Sequence, residues 1–189
     1  VAPENTFAAA RQAIDWGVPT IEADVWTSRD GEMVIIHDST VDRTTDGTGH
    51  VVAMTAAELA ALDAGSWFNP SFAGEPLPRL RDFLTWIKGQ ARVFLDVKFA
   101  HPQQLLDLIY ASGMDRDCFL WSGSRELMGL FHELDPTMPL KVNVSSVQEI
   151  AAAQKELGAR IVEIDLDTMR EPLVAACRTR GLEIMINAD

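Results

Sequence analysis

The sequence predicts an α/β fold and, within that class, a (β/α)8 barrel of the TIM type. Three observations carry the prediction. Strand-like and helix-like patterns alternate through most of the 189 residues, the signature of parallel strands joined by crossover helices. No glycine-rich phosphate loop follows any strand, which weakens the runner-up, a doubly wound open sheet. With room for a missing first strand and a missing last helix, the elements make a barrel short of its ends, in a fold that typically takes about 250 residues.

Taken in order, "PENTFAAARQAIDWG" predicts a helix with Asn5 as its N-cap and a stop at Gly17. The strand "TIEADVW" follows. "SRDGEM" then holds Asp-Gly, the strongest short-range hairpin signal, ahead of "EMVIIHD". From Asp38 to Leu80 the chain is rich in Thr, Gly, Pro and Asp and holds one short helical stretch, "TAAELAAL". That region, about 39–80, is too long for an ordinary loop and reads as an insertion folded over one end of the barrel. Later strands are "RVFLDVKF", "CFLWSG", "LKVNV", "RIVEIDL" and "LEIMINA". Between them lie the helices "HPQQLLDLIYASG", "SRELMGLFHELD", "SVQEIAAAQKELG" and "REPLVAACRTRG", each closed by Gly or by Asp-Pro. Residues 1–189 read as a single domain that includes the insertion.

Composition narrows the partners. A net charge of −12 with no long basic run argues against nucleic acid or an anionic membrane surface as the partner. An anionic substrate is still accommodated where a cation and local Lys or Arg reverse the field. No apolar run approaches the roughly 20 residues that span a bilayer, so no stable membrane insertion is expected. No signal-peptide pattern opens the sequence, which starts at Val1 and looks cut, so any leader would lie outside it. The expectation is a soluble protein, with the cytoplasm favoured over the periplasm or secretion and homo-oligomerisation left open. Cys118 and Cys177 lie in apolar surroundings and are expected as buried free thiols.

The chemistry concentrates in two strands. Side chains alternate along a strand, so Glu22 and Asp24 share one face while Ile21, Ala23 and Val25 take the other. Two hard oxygen donors at that spacing suit Mg2+ or Ca2+ and suit zinc poorly. If Asp30 and Gly31 are the two turn residues, His37 lies directly across from Asp24; if "EMVIIHD" instead runs parallel in the barrel, His37 still ends its strand at the same mouth. In "VFLDVKF", Asp96 and Lys98 again share a face, a carboxylate to complete a metal site and an ammonium to bind a phosphate oxygen. Blander readings stand beside these: Glu22 and Asp24 paired with basic side chains on neighbouring strands, His37 as a structural or solvated histidine, and an internal Asp96–Lys98 ion pair.

Together these stretches resemble the glycerophosphodiester phosphodiesterase family. The likeness runs from Ala2 to Lys98 through "APENT", "IEADV", "DGEMVIIHD", "TVDRTTDGTG", "EL…LDAGSWF", "F.GE.LP.L" and "LDVK". Beyond Phe99 only the barrel rhythm is shared. The resemblance implies a barrel with a small insertion after the histidine strand and a divalent cation. It also implies hydrolysis of deacylated phospholipids, such as glycerophosphocholine or glycerophosphoethanolamine, to glycerol 3-phosphate and an alcohol. Carried over, Glu22 and Asp24 are the paired metal ligands, His37 is one of two catalytic histidines, and Lys98 is the phosphate-binding lysine. Asp96 stands where the family usually has Glu, and its side chain is shorter by one carbon–carbon bond, about 1.5 Å. The family's His-Arg-Gly strand end, with the other histidine, would lie just before "APENT". Trp67 and Phe68 are candidates for an apolar wall against the glycerol carbons, or for packing the insertion onto the barrel. Two other functions stay open: a lysophospholipase D-type phosphodiesterase acting on a bulkier lipid, and a catalytically inactive binding module. His50, His101 and His132 read as solvated or capping groups, and Glu163 and Asp165 as rim solvation or an ion pair.

Overall fold

Alternating apolar strand faces and amphipathic helices organise the chain, described over residues 1–187 in a computed structural model. The chain forms two compact units, one from Val1 to Cys118 and one from Phe119 onward.

The first unit opens with helix α1 (Phe7–Asp15), whose N-cap is Thr6: its hydroxyl accepts from the Ala9 N–H. The expected cap, Asn5, is displaced by one residue because its side chain is engaged elsewhere. Strand β1 (Thr20–Thr27) pairs antiparallel with β2 (Met33–Ile35) and parallel with β3 (Arg92–Val97). Val25, Val93, Leu95 and Val97 are fully buried, which is why these strands read as apolar runs with the charged residues on the opposite face.

The β1–β2 hairpin is present, but its register differs from the expected one. Val25 pairs with Ile35 and Thr27 with Met33, so the turn is centred on Asp30 and holds three loop residues. The Ser28 N–H donates to the Glu32 carbonyl, and Gly31 adopts φ +86°, the left-handed residue that closes a three-residue hairpin loop. Ser28 reinforces the turn, its hydroxyl donating to the Asp30 carboxylate and the Glu32 carbonyl. Pairing shifts by one residue relative to a two-residue turn, and Ile36, whose N–H donates to the Asp24 carbonyl, stands where His37 was expected.

The insertion has its own core. Val41, Val51, Leu59, Ala64 and Leu77 bury against Val34 and Ile36 of the hairpin. Each fully buried Val or Leu there contributes about 1.5–3 kcal/mol. Within it, helix α2 (Ala56–Ala60) starts at a capping box, with Thr55 and Glu58 satisfying each other's backbone N–H groups. Helix α3 (Leu80–Ile87), absent from the sequence-based expectation, follows directly and buries Leu80, Phe83, Leu84 and Ile87. That spacing is one helical stripe. Helix α4 (Pro102–Ser112) then ends in Gly113 at φ +65°. Strand β4 (Cys118–Trp121) carries the chain out of the first unit.

In the second unit, helices α5 (Arg125–Leu134), α6 (Val147–Leu157) and α7 (Glu171–Thr179) alternate with strands β5 (Lys141–Asn143), β6 (Ile161–Asp165) and β7 (Glu183–Asn187). The three strands are parallel, in the order β5-β6-β7. Val162, Ile164, Leu173 and Cys177 form its core. The end of the last expected strand, at Ala188, lies outside the described residues. Cys118 and Cys177 are buried free thiols, and burial pushes the Cys118 thiol up to about 12, far from thiolate chemistry. Among the described residues no helix is long and apolar enough to cross a membrane.

Candidate active site

Parallel pairing in register sets Asp24 of β1 opposite Asp96 of β3. Glu22 lies two residues back on the same face of β1, and one carboxylate oxygen from each of the three falls within 4.8 Å of the others. Asp24 is only 3% exposed and Asp96 is also buried, whereas Glu22 is exposed. Two buried carboxylates this close require compensation. Part of it is Lys98, whose Nζ lies 2.9 Å from Asp24 Oδ1 and 2.6 Å from Asp96 Oδ2. Burial works against the charged ammonium, yet its bonds to Asp96 and Asp24 outweigh that and hold its pKa above the ordinary lysine value. The ion pair weighed as a bland reading and the convergence of three carboxylates are thus both present.

Asn5 supplies a further, uncharged contact to Asp24. Its Nδ2 donates to Asp24 Oδ2 at 2.7 Å, and its Oδ1 accepts the Asp24 backbone N–H at 3.1 Å. Sequence reasoning assigned Asn5 to a helix cap. The contact spans 19 positions, and only the positive φ of its backbone, invisible in sequence, marks it.

His37 lies two residues past the end of β2 and is not opposite Asp24, because the three-residue turn moved the register. Its side chain is 54% exposed, with Nδ1 2.8 Å from Asp38 Oδ1. Asp38 is held in turn by Arg43, whose Nε reaches Asp38 Oδ2 at 2.7 Å, and Arg43 also forms a two-point pair with Glu4 at 2.7 and 3.0 Å. The guanidinium of Arg43, and then the imidazole of His37, lower the Asp38 carboxyl to about 2. Glu4 and Asp38 in turn raise Arg43 above its usual value. The His37 backbone is fixed too: Trp26, on the same face of β1 as Asp24, donates its indole N–H to the His37 carbonyl at 3.1 Å. The polar turn visible in "HDSTVDR" is therefore a chain of charges ending on the imidazole.

Trp67 and Phe68 sit in the insertion, 39% and 38% exposed, and meet edge-on at 5.7 Å, with Phe72 edge-on to Phe68 at 5.9 Å. Asp63 organises that segment, accepting from the Gly65, Ser66 and Gly74 N–H groups and from the Ser66 hydroxyl. These bonds hold the Asp63 carboxyl far below the usual range. In the second unit, Glu163 pairs with the buried Lys141 at 2.7 Å, the ion-pair outcome expected for it, and Asp165 accepts from Asn187. His101 precedes α4 without a side-chain cap bond, and His132 lies in the last turn of α5.

The donor set at Glu22, Asp24 and Asp96 is all carboxylate, which fits a hard divalent cation. Two ligands of Ca2+ stand at most about 5 Å apart and two of Mg2+ at most about 4.2 Å. A set within 4.8 Å falls inside the first bound, and the second requires a closure of at most about 0.6 Å.

The model of the glycerophosphoryl diester phosphodiesterase family matches residues 1–122, the stretch that holds all three carboxylates, Lys98 and His37. The chain belongs to this family. Among glycerophosphodiester phosphodiesterases, that of Caldanaerobacter subterraneus subsp. tengcongensis is 44% identical over 102 residues, covering 49% of this chain and 42% of its own. One from Bacillus subtilis is 27% identical over 205 residues, covering 95% of this chain and 70% of its own. The chain spans about two-fifths of the length of the first curated relatives it matches. A crystal structure of a glycerophosphodiester phosphodiesterase from Agrobacterium tumefaciens superposes on 100% of this chain and 83% of its own, with TM-score 0.93 and 39% identity. An Oleispira antarctica phosphodiesterase in complex with the product sn-glycerol-3-phosphate superposes on 100% of this chain and 80% of its own, with TM-score 0.88 and 25% identity. The fold class is accordingly α/β, that of the family's (β/α)8 barrel.

Proposed function

We propose that the site hydrolyses glycerophosphodiesters, such as glycerophosphocholine or glycerophosphoethanolamine, to glycerol 3-phosphate and an alcohol, with Mg2+ or Ca2+ held by Glu22, Asp24 and Asp96. The observation that carries this reading is the meeting of those three carboxylates with Lys98. Their surplus of negative charge is what a divalent cation neutralises. The names of the relatives support the substrate class, and the product bound to the Oleispira antarctica enzyme supports glycerol 3-phosphate.

Held by Glu22, Asp24 and Asp96, a divalent cation would supply charge neutralisation for the phosphate and would make a water or hydroxyl nucleophile more acidic. Lys98 offers its ammonium to a phosphate oxygen. His37, oriented through Nδ1 by Asp38, presents Nε2 for proton transfer to the leaving alkoxide or from the nucleophile. Trp67 and Phe68 pack against the glycerol carbons. The reading takes residues 1–189 as one phosphodiesterase domain.

The test is release of the head-group alcohol, choline or ethanolamine, from a panel of glycerophosphodiesters and one lysophospholipid, with and without chelator, glycerol 3-phosphate being the co-product of the glycerophosphodiesters. Chelation is expected to abolish turnover and Mg2+ or Ca2+ to restore it; His37→Ala is expected to lose about 10²–10⁴-fold in kcat. Turnover indifferent to chelator removes the cation from the reaction, and faster turnover of the lysophospholipid moves the substrate to the bulkier lipid.

A further inference from the structure

We propose that Asn5 is a positioning residue for the cation site, one that sets which oxygen of Asp24 is presented to the cluster. The inference rests on the cation reading above. Asn5 is the one non-glycine among the described residues with a positive φ, +56°. For an L-residue other than glycine, that backbone costs about 1–2 kcal/mol and persists where the surroundings impose it. The neighbouring bonds show how it is imposed. Thr6 caps α1 and donates its hydroxyl to the Pro3 carbonyl, which pins the turn on both sides of Asn5. Because Thr6 does the capping, the amide of Asn5 has no local duty and reaches across to β1.

Both ends of that amide meet Asp24. The acceptor takes the backbone N–H and the donor takes Oδ2, so the side chain fixes the residue at two points. A carboxylate otherwise rotates about its last torsion, which is broad and roughly two-fold. With Oδ2 committed to Asn5, Oδ1 is the oxygen that meets the Lys98 ammonium, which also holds Asp96 Oδ2. A neutral amide achieves this without altering the charge that attracts a cation, and Asn tolerates the left-handed backbone better than other side chains that carry both a donor and an acceptor. Groups that orient metal ligands typically change metal affinity 10–100-fold when removed.

The two ions respond differently to a loosened ligand. Mg2+ demands near-ideal octahedral geometry, whereas Ca2+ accepts irregular coordination. Asn5→Gly keeps the backbone and removes the clamp. By calorimetric titration with MgCl2 and CaCl2, it is expected to weaken Mg2+ binding by at least about 10-fold and Ca2+ binding by less. Thr55→Ala, which removes a helix cap elsewhere in the same unit and leaves the Asn5 turn intact, is expected to bind both ions as the wild type does. Should Asn5→Gly not fold, Asn5→Ser replaces it: uncharged and too short to span both the Asp24 N–H and Oδ2, it loses the two-point clamp and is expected to shift the Mg2+ to Ca2+ ratio the same way. Unchanged affinities in the Asn5 variants, or an equal loss in Thr55→Ala, overturn the assignment. A wild type that binds neither ion overturns the cation reading itself, and the assignment with it.

Discussion

Asp38 shows how much of the site depends on single contacts. Its carboxylate is bonded on one side to Arg43 and on the other to His37, so it orients the imidazole. Asp38→Asn is expected to lower kcat by about 10–100-fold, on the logic by which an orienting carboxylate fixes a catalytic histidine's tautomer, while KM for a glycerophosphodiester changes little. Steady-state kinetics on the purified variant check this, and an unchanged kcat contradicts it. Asp96→Asn removes one charge from the donor set and is expected to weaken Mg2+ and Ca2+ binding by about 10-fold or more, read by calorimetry. The pairing of Glu22 with Asp24, and of Asp96 with Lys98, was legible in sequence because strand alternation is a local rule with a period of two. Placing His37 was not. "SRDGEM" accommodates either a two- or a three-residue turn, and that single residue decides which side chain stands opposite Asp24. The clamp by Asn5 was illegible for a different reason: it joins two segments that no local pattern relates.

At the scale of elements, the expected strands and helices matched the observed ones where caps mark their ends, as at Ser146 and Gly158 flanking α6. Helix α3 was missed although Leu80, Phe83, Leu84 and Ile87 form a clear helical stripe, because it starts where the insertion was read to end and its N-cap, Arg79, makes no side-chain cap bond that a sequence signal would mark. The insertion itself is built on one tight approach. A Cβ at Gly65 would lie 2.0 Å from the Phe72 carbonyl oxygen, so the segment carrying Trp67 and Phe68 closes only around a glycine. Gly65→Ala is expected to destabilise the fold by about 1–3 kcal/mol, the usual cost of overpacking, measured by denaturant unfolding. An unaltered midpoint contradicts that packing account. Removal of the α2 capping box by Thr55→Ala is expected to cost about 1 kcal/mol in the same assay.

For the molecule as a whole, acid sensitivity follows from the depressed carboxyls. Asp38 is lowered by Arg43 and His37, and Asp63 by Ser66 and the surrounding N–H groups. A carboxyl whose folded pKa lies below its unfolded value, near 3.9, contributes stability above that value and loses it as pH falls through the folded pKa. Thermal midpoints are therefore expected to hold above about pH 5 and to fall between about pH 4 and pH 2, with part of the fall absent in Asp38→Asn. The central claim, that three acidic side chains share a divalent cation, is tested most directly by anomalous diffraction from crystals soaked in Mn2+, an ion that suits the same oxygen donors. The account predicts one strong anomalous peak within bonding distance of Glu22, Asp24 and Asp96. A map with no peak there, or with the ion seated at Glu163 and Asp165 instead, contradicts it.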